Sequence, residues 1–211
     1  MVIAALGDIH GHWPALESVL QEIDAAGIQT IVHTGDCVGG VAWPNECIET
    51  LKARRIFGVC GEYDRLTARY LRHSKGRIRK VAEEAQRAIE QAFMMTRSEN
   101  LEYLRGLPNN YTLTADGIEV LVCHGSPGNP NAPLSASTVL EHFRRQRELT
   151  TASIIVCGQT HDPYYTRVDG TLFVNPGAVF RPEQPEAPAR YAIIDTEEEP
   201  WRVELRCVSR A

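Results

Sequence analysis

No two cysteines in this sequence stand in the C-x-x-C spacing of a zinc knuckle or redox pair, no apolar run reaches membrane-spanning length, and no excess of basic charge is present. Each absence removes a class of function. The six cysteines, Cys37, Cys47, Cys60, Cys123, Cys157 and Cys207, are read instead as small buried hydrophobes of a protein kept in a reducing compartment. A formal net charge of −5 gives nothing that would drive the chain onto duplex nucleic acid, so any phosphate it handles must be met locally. The opening stretch MVIAALGD is too short for a secretory leader and lacks a basic flank, which makes a cytoplasmic protein without membrane association the expectation. Internal repeats, low-complexity tracts and linkers are also missing. One domain over 1–211 is therefore expected, with 43% hydrophobic residues to build its core.

What is present is an alternation of short apolar runs with amphipathic segments. VIAAL (2–6) precedes a helix starting near Pro14, with Leu16, Val19, Leu20 and Ile23 on one face and Gly27 closing it. TIVHT (30–34) precedes a second helix at Pro44, with Cys47, Ile48 and Leu51 inward, and RIFGVC (55–60) reads as the next strand. A stripe of Ile78, Val81, Ala82, Ala85, Ile89 and Phe93 predicts a helix over 78–93, within a probable helical insertion at about 65–95, and SENLEYLRGLP continues as a turn and helix. GIEVLVCHGS and SIIVCGQTH read as buried strands, separated by a helix over 138–149 that opens with a Thr138 to Glu141 capping box. The end changes character: one hairpin turns at Asp169-Gly170, and RYAIID with WRVELRCV forms another. Parallel α/β units followed by antiparallel strands predict two sheets packed face to face with helices outside.

Ligand-type residues follow five of these strands. VIAAL ends in Gly7-Asp8-Ile9-His10, TIVHT in Gly35-Asp36, IFGVC in Gly61-Glu62-Tyr63-Asp64, VLVC in His124-Gly125, and SIIVC in Gly158-Gln159-Thr160-His161. Ligands in open α/β sheets bind at the carboxyl ends of strands, so the five loops should converge. Carboxylates and imidazoles gathered without thiolates, beside glycines that permit tight turns, suit divalent metals; without a cation the acids would repel one another.

GDIHGH, GDCVGG, GEYD, CHGS and GQTH, in this order and followed by NPGAV, resemble the calcineurin-like metallophosphoesterases, whose pattern runs D-x-H, G-D, G-N-H-D, H, G-H-x-H. The resemblance covers nearly the whole chain. TRSENLEYLRGLP and the NPGAVFRPEQPEAPARYAIID ending are similar to the small bacterial branch of diadenosine tetraphosphatases, whereas the stretch at 65–95 is particular to this chain. The fold it implies is of α/β (α+β) class, a four-layer αββα sandwich of two mixed sheets flanked by helices. The activity it implies is hydrolysis of a phosphate monoester or diester, a nucleotide among them, by a metal-activated hydroxide at two divalent ions. Asp8, His10 and His161 would hold the first ion, Asp36 would bridge, and His124 would bind the second. The implied catalytic set is Asp36, Tyr63, Asp64 and His124, with His12 and Tyr63 toward substrate.

Three positions depart from the family pattern. Glu62 stands where the pattern has Asn, Gln159 where it has the first His of G-H-x-H, and Tyr63 where it has His. A phenol can donate a hydrogen bond but is a poor acid at neutral pH. Glu62 and Gln159, with Asp36 and His124, make the second set rich in oxygen, which points to manganese first, with iron, zinc and magnesium as alternatives. A second reading remains open, a scaffold that keeps the fold, has lost catalysis and binds a partner protein. Asn175 and Arg181 are placed either near substrate or as turn residues, and the basic run RYLRHSKGRIRK (69–80) either as a solvated face or as a guide for nucleotide phosphates. Oligomeric state is not legible.

Overall fold

β1 (Val2–Leu6) shows why the chain layers as it does. Its alternate side chains are apolar on both faces: Ala4 and Leu6 enter one core, Ile3 and Ala5 another. The computed structural model describes residues 1–73, 82–197 and 199–209. In the first sheet β1 pairs in parallel with β2 (Thr30–His33), which pairs in parallel with β3 (Phe57–Gly58); on the other side β9 (Ala189–Asp195) and β10 (Arg202–Val208) add antiparallel strands, giving the order β10-β9-β1-β2-β3. The second sheet has the order β4-β5-β6-β8-β7, from β4 (Asn110–Ala115), β5 (Ile118–Cys123), β6 (Ile154–Val156), β7 (Tyr164–Val168) and β8 (Thr171–Asn175).

Three cores separate four layers. Helix α1 (Trp13–Ala25) lays Leu16, Val19 and Ile23 on the outer face of the first sheet beside Ile48 and Leu51 of α2 (Pro44–Ala53). The inner faces meet through Ile3, Ala5 and Val32 against Val120, Val122, Ile154, Val156 and Val174. Beyond the second sheet, Phe143 of α7 (Leu140–Arg147) packs with Leu121, Ile155 and Phe173. This is the expected α/β architecture, a four-layer αββα sandwich of two mixed five-stranded sheets. Between β3 and β4 run α3 (Glu62–Ala68), α4 (Tyr70–His73), α5 (Glu83–Met95) and α6 (Ser98–Gly106). Among the described residues no helix is long and apolar enough to cross a membrane.

Several local expectations shift. Strand β3 keeps two residues, and the C-terminal hairpins part company, β7–β8 joining the second sheet and β9–β10 the first. β4 adds a strand that the sequence reading did not include. The Thr138 capping box is absent: the Thr138 hydroxyl accepts from the Ser135 amide at 2.9 Å inside a turn, and α7 starts after Val139. Helix α5 begins at Glu83; Ile78 and Val81 of the expected stripe, and most of the basic run including Arg77 and Lys80, lie in 74–81, outside the described residues. Five cysteines are buried as expected, and Cys207 is exposed on the edge strand β10.

Leu16 is fully buried between α1 and the first sheet. Leu16→Ala should cost about 3 kcal/mol and lower Tm by roughly 6–12 °C, read by thermal unfolding followed by circular dichroism. An unchanged Tm would mean that the outer helical layer is not part of the cooperative unit.

Candidate metal centre

The five loops converge at one end of the sandwich. Asp8, His10, Asp36 and the 61–64 turn leave the first sheet, while His124, Gln159 and His161 leave the second. Convergence needs abrupt turns. Asp8, His10, Asp36, Gln159 and His161 all have positive φ, from 26° to 69°, a region that residues with a Cβ seldom occupy. Close approach is the other requirement. A Cβ on Gly61 would lie 2.1 Å from the Asp36 amide nitrogen and carboxylate, and one on Gly158 would lie 2.3 Å from Thr34 Oγ1.

Two sets of ligand atoms result, Asp8 with His10 and His161, and Asp8 with Asp36 and His124; within each set the atoms lie within 4.8 Å of one another. Asp8 is common to both. Asp36, expected to bridge, belongs to the second set. Tautomers are fixed from behind. His124 Nδ1 donates to the Thr34 carbonyl at 2.8 Å, which leaves Nε2 as a lone pair 3.5 Å from Asp36 Oδ2. His161 Nδ1 donates to Glu183 Oε1 at 2.8 Å, leaving its Nε2 3.0 Å from His10 Nε2. The two Nε2 atoms face each other at hydrogen-bond distance, with a proton or a cation between them. His124 Nε2 and Gln159 Oε1 are buried with no hydrogen-bond partner among the described residues. Orphaned acceptors beside buried carboxylates are the donor set of a divalent metal, and the residues present fit one.

The electrostatics point the same way. Burial, then the charge of Asp36, holds the Asp8 pKa well above the usual carboxylate range; burial also pushes Asp36 up to about 7. Burial lowers His10 to about 3 and lowers His124, so both rings are neutral ligands near pH 7. Glu183 moves the other way: although partial burial opposes it, hydrogen bonds from His161 and Arg181 bring it down to about 2.

Glu62, Tyr63 and Asp64 form the first turn of α3 and diverge. Glu62 is half-buried, outside both ligand sets, and its charge helps raise the Asp36 pKa. Tyr63 donates its amide to Asp36 Oδ1 at 2.8 Å and turns its ring edge-on to His10. Asp64 holds backbone: Oδ1 accepts from the Cys37 and Val38 amides at 2.8 and 3.2 Å, and Oδ2 from Gly61 at 3.0 Å. Gln159 donates its amide to both oxygens of Asp8, at 3.2 and 3.1 Å. His12 accepts from the Ala15 amide as the cap of α1 and stacks on Phe180. Asn175 shapes the turn, donating to Gly158 O and accepting from Gly177 N. Arg181 donates to Glu183 at 3.2 Å and Asp162 at 3.0 Å. Glu183 itself was not anticipated. It sits in a loop without periodicity, 22 residues after the histidine it supports.

A sandwich that gathers carboxylates and imidazoles at the carboxyl ends of strands from two facing sheets defines a class, the α/β proteins with a metal-type donor set at one end of the sandwich. The model of the calcineurin-like phosphoesterase superfamily domain matches residues 1–199, and the chain belongs to that superfamily. It is 28% identical, over 97% of its length and 86% of the other, to an uncharacterized protein of Methanocaldococcus jannaschii. Among solved structures it is similar to a metallophosphoesterase from Sphaerobacter thermophilus, with a TM-score of 0.78 and 27% identity over 100% of this chain and 90% of that one. A hypothetical protein from Pyrococcus horikoshii shares the fold, with a TM-score of 0.85 and 21% identity over 100% of this chain and 88% of the other.

Two outcomes are expected. Glu183→Gln removes the carboxylate behind His161 and should weaken manganese binding by roughly ten- to a hundredfold in calorimetric titration; unchanged affinity would leave Glu183 without a role in the centre. Asp36, with its pKa raised to about 7, is mostly protonated at pH 6, whereas neutral His10 needs no deprotonation. Manganese should therefore bind more weakly at pH 6 than at pH 8 and release more protons at the lower pH, read by titration in buffers of different ionisation enthalpy. Equal proton release at both pH values would contradict a protonated carboxylate in the metal-free centre.

Proposed function

We propose that the chain is a phosphoesterase that hydrolyses a phosphate monoester or diester, a nucleotide among them, at a dinuclear centre built on Asp8, His10, Asp36, His124 and His161. The observation that carries this reading is the sharing of Asp8 by two three-residue ligand sets. Two divalent ions held there would polarise a phosphoryl oxygen, lower the pKa of water and orient the ester for in-line displacement. Manganese is the first choice of ion, because the second set holds two carboxylates to one imidazole and the buried, unpartnered Gln159 Oε1 would add a further oxygen donor.

The chain's own residues supply position and charge. The tautomers of His124 and His161 are held by Thr34 and Glu183, so that both rings turn Nε2 inward. Asp64 ties the Asp36 loop to the start of α3 and keeps the two loops in register. Burial, then the charges of Asp36 and Glu62, pushes the Tyr63 phenol up to about 12, so it keeps its proton and acts as a hydrogen-bond donor to a phosphoryl oxygen. Glu62 lends negative charge beside Asp36, which favours a cation at the second set. The substrate is a small phosphate ester. We read the 65–95 stretch as an insertion in a single domain, and five buried free thiols support a reducing, cytoplasmic setting.

Manganese-dependent hydrolysis of bis-p-nitrophenyl phosphate, measured beside Asp36→Asn, tests the reading. Turnover that falls roughly a hundredfold or more in the variant is expected, as for loss of a group that stabilises developing charge. Tight metal binding with no turnover of any phosphate ester would replace it with the partner-binding scaffold.

A further inference from the structure

A groove of about 680 Å³ opens from the metal end of the site and runs beneath α5. His10 and His161 form one end of it. Its walls differ in chemistry from the centre. Tyr63 lines one side, and its ring lies against Gly39, where a Cβ would come within 2.2 Å of Cδ1. Val41, Phe180 and Pro182 continue the apolar lining. Opposite, α5 turns Ile89 and Ala92 into the core and presents Ala85 and Ala88, one turn apart, to the groove. Two small side chains on an amphipathic helix leave a slot where larger ones would close it.

Among the described lining residues the slot offers no unpaired cation. Glu84 and Glu183 line it, Glu183 already held by Arg181 at 3.2 Å and His161 at 2.8 Å, and Arg87, the cation among its described lining residues, is paired with Glu83 at 2.8 Å. A second phosphate or carboxylate placed there would meet carboxylates. A flat uncharged group would meet rings, prolines and alanine methyls.

We infer that this groove holds the organic substituent of the phosphate ester and selects a flat, uncharged one, an aryl group or a nucleobase, over a further anionic group. The inference rests on the phosphoesterase reading for the position of the phosphoryl group, at the His10 and His161 end. Tyr63 then serves both parts of the substrate, its phenol as a donor to the phosphoryl group and its ring as part of the groove wall. Ala85 and Ala88 set the width of the slot, so specificity lies in α5.

The test uses phosphonates, which cannot be hydrolysed, titrated calorimetrically into the manganese-loaded protein. Phenylphosphonate should bind at least about tenfold more tightly than methylphosphonate, which carries the same charge without the ring. 4-Carboxyphenylphosphonate should bind about fivefold more weakly than phenylphosphonate. In Ala88→Trp the phenyl-to-methyl preference should fall to about one, with Ala85→Trp as a second variant and thermal melting to verify folding of each. Equal affinity for the phenyl and methyl compounds, no binding of either, or a preference that survives in both folded variants overturns the inference. The two readings fail separately: a preserved phenyl preference without ester turnover removes the phosphoesterase and leaves the groove, while turnover with no preference removes the groove alone.

Discussion

Three carboxylates, Asp8, Asp36 and Asp64, are buried close together, Asp36 raising the proton affinity of both others and Asp64 that of Asp8, and the local structure answers that repulsion. Each acid is met by backbone amides. Asp64 receives three, Asp8 receives the Gln159 amide on both oxygens, and Asp36 receives that of Tyr63. Amides aim at carboxylates in this way only if the strand-end loops turn sharply, which is why the left-handed residues gather here and why Gly61 and Gly158 have no room for a side chain. The remaining negative charge is what a divalent cation would balance.

Gln159 illustrates how such a centre tolerates change. The family pattern has histidine at this position, yet the amide of residue 159 supports Asp8 whatever the side chain is. The side chain still offers a buried carbonyl oxygen in place of a ring nitrogen. An amide oxygen is a harder donor than an imidazole nitrogen and equally neutral, so the donor this loop offers changes in softness while the skeleton of the loop does not.

The layers were legible because strands buried on both faces read as short continuous apolar runs, as in VIAAL and SIIV, and because Leu16, Val19 and Ile23 recur at helical spacing. The five loops were legible because ligand-type residues recur at strand ends. Roles within a loop were harder to read. Asp64 and Asp36 are the same residue type after similar runs, and what separates them is which amides each meets, a fact of tertiary structure. Glu183 carries no pattern because its partner lies across the fold. β4 was overlooked although Tyr111, Leu113 and Ala115 alternate, since an edge strand with its other face exposed gives half the signal of a central one.

The centre also straddles two sheets whose facing surfaces are apolar and carry little direction of their own. Residues contributed by the opening strand and by the second sheet meet across 151 positions of sequence, as between His10 and His161. An ion coordinated there would work as a staple between the halves of the sandwich, closing one of the longest loops the chain can form. Its ligands come together as a set only where both sheets dock in register, so an ion bound there would report that the two halves are correctly assembled.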